Sequence, residues 1–293
     1  MGAADLVPGV SGGTIALITG IYDRFIAAIA SIGLDALRMV LAGKIKDAWA
    51  HVDGNFLVAV GAGILSSVLA LASLLNWLLL NYPLPLWSLF CGLILASAIH
   101  LFYTSRVDWA ERHYALWLTG VGLATVIGLM QATQLPVGPV SVFFAGAVAI
   151  SAMLLPGISG SFLLLILGMY QPVISALVNV DLVTVGLFAL GCFCGLLVFS
   201  RLLEALLARA QRATMAILYG FLLGSVIMLW PWQQPVALAI DRHGENRVVQ
   251  SVPVFPQTYE ELVGEPMLRL CLFAFSLGAG LVSLLLSVRS VEH

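Results

Sequence analysis

The sequence predicts an all-α membrane protein whose two halves are inverted repeats, each with a re-entrant helical hairpin followed by three transmembrane helices. Three observations predict it. Of 293 residues, 61% are hydrophobic and 10% charged, against about 45–50% apolar and about 25% charged in a soluble domain. Several uncharged windows reach the roughly 20 residues that cross the hydrocarbon layer. A helix-breaking cluster also occurs twice, as "LVPGVSGGTIALITGIY" at residues 6–22 and "LLPGISGSFLLLILGMY" at 154–170.

Six stretches read as full spans: Phe56–Leu80, Leu86–Tyr103, Tyr114–Met130, Leu187–Leu207, Met215–Trp232 and Met267–Val288. Two further apolar regions, 3–22 and 141–170, are interrupted by Pro8-Gly9 and Pro156-Gly157. Proline removes a backbone donor and glycine weakens the helical turn. Inside a bilayer, unpaired backbone is tolerated only where protein buries it or a watery cavity meets it. Each region therefore reads as a hairpin whose tip lies within the protein.

Loop charges set the orientation, because Lys and Arg accumulate on the cytoplasmic side. Arg24, Arg38, Lys44 and Lys46 lie in 23–55, Arg106 and Arg112 in 104–113, and Arg201, Arg209 and Arg212 around the end of the fourth span. Segments 81–85, 131–140 and 171–186 hold no Lys or Arg. Six spans alternate correctly only if both hairpins return to the side they entered from. The first hairpin then enters from the cytoplasm and the second from outside.

The halves become residues 1–130, with hairpin 3–22, an interfacial helix 25–47 and three spans, and residues 131–293, with hairpin 141–170, three spans and an outer loop 233–266. Apolar residues 25–43 carry Asp35 and Arg38 in their middle and read as lying in the interface; a true span there would reverse everything downstream. Without a gap, residues 4–24 match 152–172 at ten of 21 positions, and "GLILASAIHL" at 92–101 echoes "GFLLGSVIML" at 220–229. Inverted repeats with broken helices meeting near the midplane are transporter architecture.

The candidate site is the residue cluster after each break. Ser11, Gly12, Gly13 and Thr14, with Ser159, Gly160 and Ser161, precede apolar runs that end in Gly-x-Tyr. Serine there is a natural N-cap, and the free N–H groups and dipole of a half-helix start favour anions such as phosphate. The glycines admit close approach and the hydroxyls add donors. Kinks in packed helices explain one such copy equally well; two copies in inverted register favour a shared anion cradle.

Other residues keep two readings each. Arg201 is either a phosphate partner or a snorkelling cation paired with Glu204 one turn on. Arg24 is either a cytoplasmic anchor or a charge that meets the anion. Asp5, where the second copy has Met153, either couples a proton or sodium ion to movement or caps the loop. Tyr22 and Tyr170 read as interfacial anchors or as support for the site.

Some function classes fall away. No clustered basic face points to nucleic acid, and the membrane itself is the main partner. Cys91, Cys192, Cys194 and Cys271 sit in apolar windows and read as packing. The five histidines form no metal-spaced pair, so no metal, cofactor or catalytic residue is expected. The first residues show no cleavable signal pattern. Between Trp232 and Met267 the chain is polar, with Asp241, Arg242 and Glu245 among its charges; the alternating "NRVVQSVPVF" reads as a small hairpin or strand, or as an ordered loop, rather than as a domain.

These motifs resemble those of the bacterial polyprenyl-phosphate transporter family of the PopT type, over nearly the whole chain. The opening "GAADLVPGVSGGTIALITGIY" carries the resemblance, together with "PGISGS…GMY" in the second copy. It implies multi-pass placement in the bacterial cytoplasmic membrane and movement of undecaprenyl phosphate from outer to inner leaflet, for peptidoglycan and envelope polymer synthesis. By the same resemblance Ser11, Gly12, Gly13, Thr14, Ser159, Gly160 and Ser161 hold the headgroup, with Arg24 or Arg201 as charge partners. Only seven residues precede Pro8, where members of that family carry more, which leaves open how the arm bearing Asp5 is held. A coupling ion and a homo-oligomer also stay open. The alternatives are a secondary transporter of a small soluble anion and, further off, a lipid phosphatase, which needs a nucleophile with an acid or base although neither Ser-Gly motif has a neighbouring histidine.

Overall fold

The computed structural model describes residues 1–5, 11–130, 135–240 and 246–291. Pro8 and Gly9, and the loop charges Asp241, Arg242 and Glu245, lie outside the described residues. In chain order, α1 (Gly2–Asp5) is followed by α2 (Gly12–Ile18), α3 (Tyr22–Ala30), α4 (Leu34–Leu41) and α5 (Ile45–His51). The long helices α6 (Gly54–Asn81), α7 (Pro83–Ser105) and α8 (Glu111–Leu129) come next. Pro83 starts α7, where its missing N–H costs nothing. His113 Nδ1 accepts the Ala110 N–H at 2.9 Å and so caps α8.

The second half opens with α9 (Pro139–Leu154), α10 (Gly160–Ile166), α11 (Tyr170–Val178) and α12 (Leu182–Gly224). Strands β1 (Gln233–Ile240) and β2 (Asn246–Pro253), then α13 (Pro256–Leu262) and α14 (Leu268–Val291), complete the chain.

The duplicated sequence folds in duplicate. Helices α2 and α3 are matched by α10 and α11 at positions displaced by 148, from Gly12 to Gly160 and from Tyr22 to Tyr170. Each pair is joined through a glycine, Gly20 or Gly168, at φ 70, a left-handed conformation that only glycine adopts without strain. The turn between α10 and α11 bends the chain by 109°.

By length and apolarity, three described stretches suffice to cross a bilayer: Gly54–Asn81, Pro83–Asp108 and Leu182–Leu229. The bent pair α10 and α11 makes a fourth. This differs from the six expected spans in identifiable places. Leu187–Leu207 and Met215–Trp232 still fall on two helices, which meet within the run α12 at a kink, non-helical Ala210 (φ −147, ψ 51), between Arg209 and Arg212. The run ends at Gly224 and tightens into a 3-10 turn, Ser225–Leu229. Helix α8 carries Glu111, Arg112 and His113 in its first turn, whereas α14, Leu268–Val291, runs along the expected Met267–Val288.

One other expectation is corrected, and one open alternative is decided. Residues 25–47 do not form one helix: the chain breaks at Ser31–Gly33 and Ala42–Lys44 into α3, α4 and α5, with Gly43 at φ 76. None of the three, at 9, 8 and 7 residues, reaches the roughly 20 needed for a span. The outer loop 233–266 contains an antiparallel hairpin, β1 on β2, paired from Gln233↔Pro253 to Ile240↔Asn246 with an irregularity at Ala237. Pairing gives its backbone groups partners that an open loop would seek in water. Trp230 Nε1 donates to Val254 O at 2.8 Å, and Trp232 Nε1 donates to Pro266 O at 2.9 Å.

The chain forms two compact units, Met1–Ser73 with Thr133–Met215, and Leu74–Ala132 with Ala216–His293. Each unit takes a segment from both sequence halves. In the first unit α9 crosses α12 through Gly146 and Gly191, where a Cβ on either glycine would run into the backbone carbonyl of Phe188 or Phe143. In the second, Gly92 of α7 faces Phe275 and Gly278 of α14 faces Leu89, again backbone on backbone. Gly120 of α8 and Gly220 near the end of α12 meet in the same way, against Ile217 and Trp117. Apolar helices in lipid gain little from hiding apolar surface, so close backbone approach through small residues carries their association.

Gly92→Ala and Gly278→Ala should each lower stability by about 1–3 kcal/mol, because backbone must shift to admit the methyl. Gly61→Ala and Gly280→Ala meet open space and should not. Thermal unfolding in detergent distinguishes the two sets.

Candidate functional site

The site begins with an electrostatic problem. Helix α9 stops at Leu154; Leu155 turns extended (ψ 132), Pro156 donates no N–H, and Gly157 takes φ 83. The carbonyls at such an end have lost their helical acceptor role, and in an apolar protein water is a poor substitute.

The other hairpin supplies the partners. Ser11 Oγ donates to Met153 O at 2.9 Å, and Tyr22 Oη donates to Leu154 O at 2.9 Å. In the opposite direction the Gly157 N–H donates to Thr14 Oγ1 at 2.8 Å. These three side chains are sealed from solvent, with Ser11 1%, Thr14 0% and Tyr22 1% exposed. Gly13 suits the contact, since a Cβ there would lie 3.0 Å from both the Met153 and Leu154 oxygens, closer than an ordinary contact.

Local bonds finish the start of α2. Ser11, with extended backbone, accepts the Gly13 N–H at 3.1 Å and so caps the helix. Asp5 Oδ1 accepts the Gly12 N–H at 2.6 Å, which ties the end of α1 to the start of α2. The equivalent start of α10 is different. Ser159 occupies the same cap position without a capping bond, and its hydroxyl pairs with that of Ser161 at 2.8 Å. The first N–H groups of α10, on Gly160 and Ser161, find no acceptor among the described residues.

The structure thus gathers Asp5, Ser11, Gly12, Gly13, Thr14 and Tyr22 against Met153–Gly157, with Ser159, Gly160 and Ser161 continuing from that break. Tyr170 starts α11 as Tyr22 starts α3. The two arginines are engaged elsewhere. Arg24 pairs with Asp53 (Nε–Oδ2 2.6 Å, Nη2–Oδ1 3.1 Å) and lies 4.4 Å over the Phe56 ring; that bond holds the Asp53 carboxyl below the usual carboxylate range. Arg201 donates from Nη2 to Ile32 O at 3.1 Å and from Nε to Ala30 O at 3.4 Å, at the end of α3. It makes no ion pair with Glu204 among the described residues.

Sequence reasoning weighed Tyr22 as an interfacial anchor or a support, and it is a buried donor to the other hairpin. Its recurrence as Tyr170 is the signal that marked it. The acceptors, Met153 O and Leu154 O, are main-chain atoms and carry no side-chain signature. Chemically the cluster offers hydroxyl and amide donors in a dry setting, the equipment for holding an oxyanion rather than for breaking a bond.

A family model described as undecaprenyl phosphate translocase-like matches residues 1–247. A polyprenyl-phosphate transporter of Vibrio cholerae serotype O1 is 40% identical over 267 residues, covering 91% of this chain and 86% of that protein. A polyprenyl-phosphate transporter of Staphylococcus aureus is 35% identical over 251 residues, covering 79% of this chain and 83% of that protein. No solved structure matches.

Thr14→Val leaves the Gly157 N–H unpaired and should destabilise by about 1–3 kcal/mol, whereas Thr14→Ser keeps the acceptor and should cost less. Tyr22→Phe, which leaves Leu154 O unpaired, should fall in the same range. Thermal midpoints of the three variants in one detergent check the ranking.

Proposed function

This chain belongs to the undecaprenyl phosphate translocase-like family, and from that premise we propose that it flips undecaprenyl phosphate across the bacterial cytoplasmic membrane. The carrier lipid returns from the outer to the inner leaflet for peptidoglycan and envelope polymer synthesis. The observation that carries this reading is the buried crossing of two matching Ser-Gly hairpins in a chain whose relatives are named polyprenyl-phosphate transporters.

The physical task suits that crossing. A polyprenyl tail is at home in lipid, but a charged group at the bilayer centre costs several kcal/mol or more. A carrier must replace the headgroup's water with fixed donors. Ser11, Thr14, Ser159 and Ser161 supply hydroxyls, Gly160 and Ser161 supply amides, and Gly12 and Gly13 leave room for close approach. As the hairpins part, the phosphate takes over bonds that the two breaks otherwise make to each other. Pro156 and Gly157 keep the second helix interrupted so that these groups stay available; Pro8 and Gly9 are their counterparts in the first copy by sequence. Arg201 and Arg24 stand outside the crossing as charges for the headgroup on the inner side, and Tyr170 and Glu204 support from α11 and α12.

The inverted repeat is part of the proposal. It is supported by the matched helices at a displacement of 148, by the two turns at φ 70 and by the glycine crossings. Gly92 and Gly220 are equivalent in the repeat; Gly92 meets α14, and Gly220 meets α8, the corresponding last helix of the other half. Two such halves rocking about the crossing would expose it to each leaflet in turn. A lipid-borne phosphate fits the relatives' names better than a small soluble anion.

Vesicles containing the purified protein should speed leaflet exchange of labelled polyprenyl phosphate. Ser159→Ala/Ser161→Ala should slow exchange about tenfold or more, since a hydrogen bond to a charged group contributes about 1.5–3 kcal/mol. A wild-type protein that neither binds nor moves the lipid ends the proposal. Asp5→Asn keeps an oxygen for the Gly12 N–H but removes the charge. If Asp5 couples a proton or sodium ion, exchange by this variant should no longer respond to an imposed ion gradient; an unchanged response assigns Asp5 to capping alone.

A further inference from the structure

Within the first compact unit, α4, α5 and the middle of α12 enclose a cavity of about 520 Å³, in the range of small-ligand pockets. Leu34, Leu37, Trp49, Phe193 and Leu197 are among its walls, and every lining residue except Arg201 is apolar. The Arg201 guanidinium is steered into place by the Ala30 and Ile32 carbonyls, which satisfy donors but leave its positive charge without a carboxylate partner among the described residues. Gly33 allows this, because a Cβ there would run into Arg201 Nη2.

An apolar cleft with one uncompensated cation at its edge is complementary to an amphiphile with an anionic head. We propose that this cleft seats polyprenyl phosphate outside the hairpin crossing, with the phosphate on Arg201 and the first isoprene units along Leu34, Leu37, Phe193 and Leu197. The assignment rests on the transport reading above and adds to it a separate place for the tail. A free phosphate would use Arg201 and leave the apolar walls without a role. In this conformation the crossing is filled by its own hydrogen bonds while the cleft is open, so the lipid has a resting seat before or after transfer.

The test uses the full chain in phosphatidylcholine vesicles with a polyprenyl phosphate that carries a diazirine in its first isoprene units, cross-linked peptides being mapped by mass spectrometry. Label is expected within residues 34–49 and 193–197. It should fall about tenfold in Arg201→Gln, since the charged hydrogen bond is lost, and be retained in Arg201→Lys. Gly33→Ala, at an extended φ of −168 that any residue adopts, should weaken labelling by displacing the guanidinium, and Ala36→Phe should block it by filling the cleft. Unlabelled polyprenyl phosphate should compete, and inorganic phosphate or neutral polyprenol at the same concentration should not. Lipid exchange without label in the cleft overturns this inference and leaves the transport reading standing. Label that polyprenol displaces equally, or that photoreactive phosphatidylcholine reproduces, marks an ordinary bilayer contact and overturns it too. Absence of exchange by the wild type overturns the transport reading on which it rests.

Discussion

A broken helix in an apolar protein exposes main-chain groups that lipid cannot satisfy, and the bonds between the two hairpins answer that constraint. Met153 O, Leu154 O and the Gly157 N–H belong to the second hairpin, while Ser11, Tyr22 and Thr14, which pair with them, belong to the first. The second break is not complete alone. Leaving one such group unpaired costs about 1–3 kcal/mol, so three bonds hold the two segments in one arrangement. The order of small and hydroxyl residues around Ser11 suits this need, because Gly13 leaves room beside the two carbonyls that Ser11 and Tyr22 reach.

The helices around the hairpins are organised by a second constraint. Lipid is as apolar as leucine, so these helices adhere where glycine lets backbones touch. Gly146 with Gly191, Gly92 with Gly278, and Gly120 with Gly220 are three such contacts. They explain why glycines sit in the middle of long helices despite costing roughly 1 kcal/mol each in helix propensity.

Groups that close the crossing are the same groups that would hold a phosphate. In the proposed cycle the headgroup competes with Met153 O and with the Gly157 N–H for Ser11 and Thr14, so the closed state and the loaded state exclude each other. The asymmetry between the copies fits that exchange: the start of α2 is capped by Ser11 and Asp5, whereas Ser159 and Ser161 bond to each other and the first amides of α10 find no acceptor among the described residues. Arg24 and Arg201 are spoken for by Asp53 and by the end of α3; in the proposed cycle they would act on charge at the edge rather than within the crossing.

Much of this was legible in the residues. Apolarity placed the chain in a membrane, the doubled Pro-Gly-x-Ser-Gly marked the two breaks, and its fixed offset foretold that α2–α3 and α10–α11 would match. Ser11 as a helix cap also followed from local rules, because capping involves only neighbouring residues. Partners distant in sequence did not follow. That Thr14 receives Gly157, that Tyr22 reaches Leu154, and that Arg201 turns to Ile32 instead of Glu204 depend on how segments more than 130 residues apart are folded together. The same holds for the division of residues 25–47 into three helices around Gly33 and Gly43, and for the pairing of β1 with β2. Hydropathy and periodicity report what each segment prefers by itself; which main-chain oxygen meets which hydroxyl is settled only when the tertiary structure brings both into the same dry space.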